Sequence, residues 1–525
     1  MDDKFYHQAI LVSYPRLFSN LNQNPHSNSY GCFDREFWHY KVGKDFPSSI
    51  FQTGVLGLTL LYRNNFPGNI YFNNPGLLRL IKGGISFWAG LQQKDGTFSE
   101  WYPGERSHVA TAFTSYAVSE TILLLDKTLL EEEKNRVLVA LRRAGDWLAN
   151  HPDKMVSNHT AGAIVALYNL YLLTHKKEYK EAAEENLKTL LNLQSREGWF
   201  PEYGGADLGY LSLTVDFLAK YWQKSGDKNV LGPLEKAVNF MNFFIHPDGS
   251  FGGEYGSRGT KFLIPHGLEI LSKNLPQARQ ILDQWFPFNS FDDRYLIFFF
   301  LNNWIQAYFE RQKNLSGYQT TRKTEKEFSE NFSEAGILVK KTKDYYLIFS
   351  YKKNGVLKLF REKRLVFSDT GWWGKLEDGR TISSQWLNPK QDNLSIQTEF
   401  CQVNEPILRE KMILFRFFNY TLGQLGFFSN FFQWWLKRRY LISLNKVPVF
   451  LKRSLVIKGK NLVFEDEISL GKGVFLLSLC STVNLCQKFT PTASFFTSQD
   501  LWEASPEDYA IILNKKRKIK VTKSL

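Results

Sequence analysis

From Pro47 to about Gln312, apolar residues recur at three- and four-residue intervals. They do so in SIFQTGVLGLTLLYR, LLRLIKGGISFWAGL, VATAFTSYAVSETILLL, EEEKNRVLVALRRAGDWL, TAGAIVALYNLYLL, YKEAAEENLKTLLNL, YLSLTVDFLAKYW and PLEKAVNFMNFFI. This spacing predicts about ten to twelve amphipathic helices separated by Gly, Pro and Asp breaks. After a polar stretch from Lys313 to Glu334 the period changes to alternation, in AGILVKKTKDYYLIFSYKK, GVLKLFREKRLVFS, PILREKMILFRFF, VFLKRSLVIKGKNLVFEDEISL and GVFLLSLCS. Period two predicts strands joined by turns. The chain therefore divides into an irregular N-terminal segment (1–45), a helical domain (46–312), a linker (313–334) and a β-domain (335–525).

The helical part repeats itself. LQQKDGTF (Leu91–Phe98), LQSREGWF (Leu193–Phe200) and FIHPDGSF (Phe244–Phe251) each close an apolar helical stretch. Their acidic residues are Asp95, Glu197 and Asp248, and the second interval is half the first. A fourth, degenerate copy fills the gap at Gly145–Leu173, with helix, break and helix but no Asp-Gly turn. A period of about 50 residues containing two helices is the mark of stacked helical hairpins, none of which can bury its apolar face alone. Such hairpins, with their breaks on one side, predict an incomplete (α/α)5-6 toroid whose Asp-Gly turns share one rim. The β-domain is predicted to be an antiparallel β-sandwich.

Composition narrows the function classes. At 525 residues the chain exceeds one ordinary core. The 16% aromatic content suits a cleft that packs sugar C–H faces on rings, as well as a large core. A net charge of +14 favours an anionic partner. No zinc-finger spacing, RNA-binding signature or P-loop accompanies it, so nucleic acid is not expected and an acidic polysaccharide or anionic membrane is. Cys32, Cys401, Cys480 and Cys486 form no CxxC pair, which points to reduced thiols. The N-terminus, MDDKFYHQAILVSYPRLFSN, has no continuous apolar stretch of the secretory kind, so a cytoplasmic location is the expectation. Near 420–439, the uncharged run YTLGQLGFFSNFFQWWL is followed by Lys437, Arg438 and Arg439. It is too short and too polar to span a bilayer and suits an interfacial helix on an anionic membrane, or else a buried helix or strand pair.

Candidate chemistry gathers on the loops. In the degenerate copy Asn158 and His159 open a helix, where the positive end of the dipole favours the neutral, basic imidazole. Tyr210 stands one repeat further on, so the two are expected on one rim. Glu202 and Tyr203 precede it on the same loop; Glu105, Arg106 and His108 come from the first copy, and Glu254, Tyr255, Arg258 and His266 from the last.

These residues resemble a family. A toroid followed by a β-sandwich, the Asn158-His159 pair, the run Glu197-Gly198-Trp199-Phe200-Pro201-Glu202 through Tyr210, and the segment GVLKLFREKRLVFSDTGWWGKL are similar to the heparinase II/III and alginate-lyase group of polysaccharide lyases. The resemblance implies β-elimination on a uronate-containing glycan. It assigns Asn158 to the substrate carboxylate, His159 to the base or to charge neutralisation, and Tyr210 to proton transfer. Arg106 and Arg258 would be carboxylate clamps, and His108, Trp199, Glu202, Tyr203, Tyr255 and His266 further substrate-binding residues. Members of the group usually act outside the cytoplasm. Some hold a metal in the sandwich through histidines; the last histidine here is His266, so neither metal nor cofactor is expected.

A C5-epimerase shares the first proton abstraction, and a non-catalytic glycan-binding or assembly factor would share the cleft. The absent secretory stretch and the 420–439 segment fit an enzyme tailoring a surface polysaccharide on its lipid carrier, at the inner face of the membrane. A terpenoid cyclase, the other user of such toroids, would need an acidic DxDD motif, to which Ser290-Phe291-Asp292-Asp293 is the nearest approach.

Overall fold

The inner helices of the toroid are buried all round and the outer ones on one face only. His108–Leu124 and Ser157–Thr174 are built from small and apolar residues and are buried over nearly every position. Glu131–Asn150 buries Val137, Ala140, Leu141, Ala144 and Leu148 and leaves a charged face to solvent. This is what separates a core helix from a surface helix. The computed structural model describes residues 3–40, 43–285, 297–314, 327–385, 390–392, 394–403, 409–436, 445–483, 503–504 and 509–525.

The inner helices Gly54–Arg63, His108–Leu124, Ser157–Thr174, Leu208–Ser225, His266–Leu271 and Ile297–Asn314 touch in that order, and the last returns to the first. The Asn302 side chain closes the ring by donating to the Thr53 carbonyl at 3.0 Å. Hydrogen bonds one repeat apart stitch neighbouring hairpins: Asn169 to Ser119, Gly209 N to Thr260 Oγ1, and Gly267 N to Asp216 Oδ1. The fold is thus the predicted α/α toroid followed by an antiparallel β-sandwich.

Three expectations are corrected, one of them the linker: Phe328–Phe332, inside the expected 313–334, is a strand of the first sheet. Residues 1–45 are not irregular throughout: Asp3–Asn20 is a helix whose Tyr6, Ile10, Ser13 and Leu17 are buried. It packs on Ile297–Asn314, with Phe5 edge-on to Trp304, and so supplies the first outer helix of the ring. Nor is PILREKMILFRFF a strand: Arg409–Tyr420 is helical and pairs with Gly426–Leu436 in a hairpin. Of the linker, 315–326 lies outside the described residues, as do 437–439, Cys486 and the Ser290–Asp293 motif.

The first five strands form an antiparallel meander, Phe328–Phe332, Ile337–Lys341, Tyr346–Ser350, Val356–Arg361 and Arg364–Asp369. Tyr346, Ile348 and Phe360 face the toroid core, while Leu347, Phe349 and Leu359 face the second sheet. Burial on both sides explains why YLIFS is an unbroken apolar run rather than an alternating one. The second sheet contributes Ile396, Leu455, Leu462 and Phe464 to that inner layer. Below it the fully buried Arg453 pairs with Asp369 at 2.9 Å and Asp466 at 2.7 Å, and Trp372 Nε1 donates to Asp466 at 2.7 Å.

The Asp-Gly turns brace the stack. Gly198 has φ +102°, and a Cβ there would lie 2.3 Å from the Lys236 carbonyl oxygen; Gly96 is placed likewise against Arg143. Gln92 and Gln194 each bond their own turn glycine and the next hairpin, Ala140 and Pro233 respectively. Glu197 then accepts the backbone N–H groups of Glu334 and Ala335, at 2.7 and 2.8 Å, joining the sandwich to this rim.

Candidate active site

The break in the degenerate repeat is built around Asp153. Its carboxylate accepts the N–H groups of Met155 and Val156 and lies 3.0 Å from His159 Nδ1, on the first turn of Ser157–Thr174. A carboxylate there holds the proton on Nδ1, which leaves Nε2 as the basic nitrogen of the neutral ring. His159 is half-buried and stacks on His108, with centroids 6.0 Å apart and planes at 16°. Trp147 flanks His108 at 5.7 Å. His108 opens its own helix, whose Ser107 cap accepts Ala110 N–H.

The next loop of the rim is built around Asp207. As N-cap of Leu208–Ser225 it accepts Tyr210 N–H at 3.3 Å, and its second oxygen accepts Arg258 N–H at 3.0 Å. Tyr210 and Arg258, from adjacent repeats, therefore share one anchor. Arg258 lies over the Tyr203 ring at 4.6 Å, and Tyr203 holds a left-handed φ of 54°. Such a conformation is uncommon for a non-glycine residue and gathers at functional sites. Burial raises the Tyr203 phenol; Arg258 pulls it down, while Tyr210, Glu202 and Asp153 push it up. Tyr203 N–H donates to the Met155 carbonyl at 3.0 Å, which sets this loop beside the one that leads into His159.

The loop carrying Arg258 is held by the sandwich. Lys358 and Lys261 both pair with Glu254, at 2.8 and 2.5 Å, and Ser350 Oγ donates to the Tyr255 carbonyl. Burial alone would raise the Glu254 carboxyl, but the two lysines overcome it and hold it well below the carboxylate range. Lys353, which donates to the Gly256 carbonyl, is brought down to about 8 by its burial.

The structure therefore sets His159, Tyr203, Tyr210 and Arg258 on adjoining rim loops, with the buried His108 stacked on His159. Arg106 is beside them on the first loop, paired with Asp95 at 2.6 Å. Five expected site residues are placed differently. Asn158 is buried, with its amide donating to Glu202 Oε2 at 2.9 Å and its N–H to Oε1 at 3.0 Å, so it clamps the next loop rather than offering an amide to substrate. Glu202 is buried as the other half of that clamp, and burial pushes its carboxyl well above the usual range, against the two Asn158 hydrogen bonds. Tyr255 is in the core, its hydroxyl 3.0 Å from His246 Nε2. Trp199 is buried at the sandwich seam, bonded to Glu197. His266 is buried deeper in the ring, 3.7 Å from Asp216, which also pairs with Lys220 beside a cavity of about 30 Å³. Among the described residues no group of three or more His, Cys, Asp or Glu is arranged to hold a metal.

Sequence reasoning missed Asp153, Asp207, Trp147 and Lys353. Asp207 carried a signal, an Asp directly before an apolar helix, as an N-cap should be. The others gain their roles only through tertiary partners.

Residues 84–264 match the family model of the Ulvan lyase N-terminal domain. The match takes in the whole mouth. Across most of the chain the fold is similar to that of the chondroitin AC lyase of Streptomyces coelicolor A3, solved in complex with chondroitin sulphate. That similarity has a TM-score of 0.56 and 10% identity, over 91% of this chain and 69% of that one. Heparinase III aligns at 12% identity and a TM-score of 0.44, over 92% of this chain and 78% of that one. A heparan sulfate lyase HepC mutant from Pedobacter heparinus aligns at 10% identity and 0.38, over 79% and 61%. No curated protein sequence matches the chain. The resemblance to polysaccharide lyases read from the sequence is borne out by the matched domain and the shared fold.

Proposed function

We propose that this protein is a polysaccharide lyase that cleaves a uronate-containing glycan by β-elimination. Supporting the reading are the Asp153–His159 pair and, on the neighbouring rim loops, Tyr210 and Arg258 anchored on one Asp207, all within residues 84–264, which match a lyase domain. In the proposed step His159 Nε2 takes the C5 proton, and the electron pair left at C5 becomes the C4–C5 double bond. The C4–O4 bond breaks, and Tyr210 gives its proton to the departing O4. The carboxylate beside C5 gathers negative charge in the transition state, and a guanidinium matched to it bidentately stabilises that charge. Arg258 has this role, with Arg106 as the second cation on the rim. Asn158, Glu202 and Asp207 position these groups without touching substrate. Because the toroid matches an ulvan lyase domain and the fold is shared with a chondroitin lyase, ulvan and chondroitin sulphate are the first substrates to try.

Proton NMR of each glycan incubated with the protein in heavy water tests the reaction. The expected product has an unsaturated uronate at its new non-reducing end. Exchange of H5 without chain cleavage would instead make the protein an epimerase, and unchanged spectra with the glycan bound would make it a binding factor.

A further inference from the structure

The helical hairpin Arg409–Tyr420 and Gly426–Leu436 leaves the β-domain between the strands Ser395–Gln402 and Lys446–Lys458 and rests on the toroid. Its inner side is accounted for. Phe415 packs on Tyr102 at 5.1 Å and stacks on Phe432, Ser429 Oγ donates to the Gly104 carbonyl, and Tyr420 and Arg416 both reach Asp45. Tyr102 and Gly104 belong to the loop that carries Arg106 and His108, so the hairpin stands beside the mouth.

Its outer side is apolar. Ile413, Leu414, Phe417, Leu422, Leu425, Phe428, Phe431, Trp434 and Trp435 are each between 39% and 70% exposed. The spacing 413, 417 on one helix and 428, 431, 435 on the other puts those five side chains on one face of each helix. A monomeric protein surface rarely carries so many large apolar side chains contiguously without an interaction to serve. From Phe417 to Leu436 there is no charged residue; Glu410 and Lys411 lie exposed before it, and Lys437, Arg438 and Arg439 follow it in the sequence. Trp and Phe with aliphatic neighbours and basic flanks are what the headgroup boundary of an anionic bilayer takes up. A sugar platform would alternate rings with polar side chains that bond hydroxyls, whereas this face mixes rings with Ile413, Leu414, Leu422 and Leu425. Among the described residues no helix is long and apolar enough to cross a membrane, so the contact is with the surface.

We infer that this hairpin docks the protein on an anionic lipid bilayer and holds the mouth of the toroid at the membrane surface, facing glycan tethered there. The docking does not depend on the cleft being catalytic. The test is co-sedimentation of the full chain with phosphatidylcholine vesicles, with and without phosphatidylglycerol. Beside it run the face variant F417S/F431S/W434S and the charge variant K437Q/R438Q/R439Q. Thermal melting and turnover of a short soluble glycan serve as controls, since Phe417, Phe431 and Trp434 stand on the hairpin and not among the mouth residues.

Wild type should sediment with the anionic vesicles, and the face variant should lose partitioning about tenfold or more. The charge variant should keep weak binding and lose the preference for phosphatidylglycerol. Wild type remaining in the supernatant with both vesicles would overturn the inference. So would a face variant that binds as well as wild type, or one whose only change is a lost dimer or lost retention on immobilised polysaccharide.

Discussion

A carboxylate 3.0 Å from one imidazole nitrogen decides what the other can do. With Asp153 on Nδ1, His159 presents a lone pair at Nε2; with an amide in its place, the ring is free to take the opposite tautomer. We expect Asp153→Asn to lower kcat by about 10²–10⁴-fold with a much smaller change in KM, the usual range for disturbing a positioned base. Steady-state kinetics on a cleaved glycan would show this, and an effect confined to KM would move Asp153 from orientation to binding. Glu202 offers a second check at this scale. Its folded-state pKa is raised above the ordinary 4.5, so the folded protein holds that proton more tightly than the unfolded chain. The associated stability is complete below about 4.5 and is lost as pH rises through the folded value. Glu202→Gln should flatten this loss in urea titrations run from about pH 4.5 upward, and an unchanged pH profile in the variant would contradict the assignment.

The helices of the ring from Gly54–Arg63 to Leu231–Asn242 were legible in the three- and four-residue spacing of their apolar residues. Asp3–Asn20 was not, because Pro15 sits inside it and polar residues crowd the same stretch. Arg409–Tyr420 was misread because it stands among strand-forming runs, although Ile413, Phe417 and Tyr420 keep helical spacing. The rim positions of His159, Tyr210 and Arg258 followed from the repeat. The burial of Asn158 and Tyr255 did not, because a loop residue's orientation depends on which partner the neighbouring repeat brings to it. The turns themselves are more demanding than the sequence pattern suggests. Gly198→Ala would combine a left-handed φ with a Cβ pressed onto a backbone carbonyl. A cost of at least about 1–3 kcal/mol is expected from the dihedral alone, seen as a lower urea midpoint, while Gly204→Ala, with open space around it, should cost less.

At the scale of the whole molecule the two domains share one core, since the first sheet of the sandwich is buried on its toroid side by the ring. Glu254 is the electrostatic centre of that seam, between Lys261 and Lys358. Glu254→Gln leaves two buried ammonium groups without their carboxylate, a defect of about 3–5 kcal/mol in comparable buried pairs. Calorimetry should show wild type unfolding in one transition and the variant at lower temperature, with activity falling too because the Arg258 loop hangs on the same seam. Full activity in a destabilised variant would show that the sandwich does not position that loop.

The central claim is that this mouth eliminates across C4 and C5 of a uronate. The most direct measurement is the ultraviolet absorbance of the conjugated unsaturated uronate, followed in time with ulvan or chondroitin sulphate and wild-type protein beside Tyr210→Phe. A steady rise with wild type that the Phe variant lacks, at unchanged thermal stability, is the expected result. A rise of equal rate in both proteins would remove Tyr210 from the chemistry. No rise with either glycan, despite measurable binding, would contradict the elimination itself.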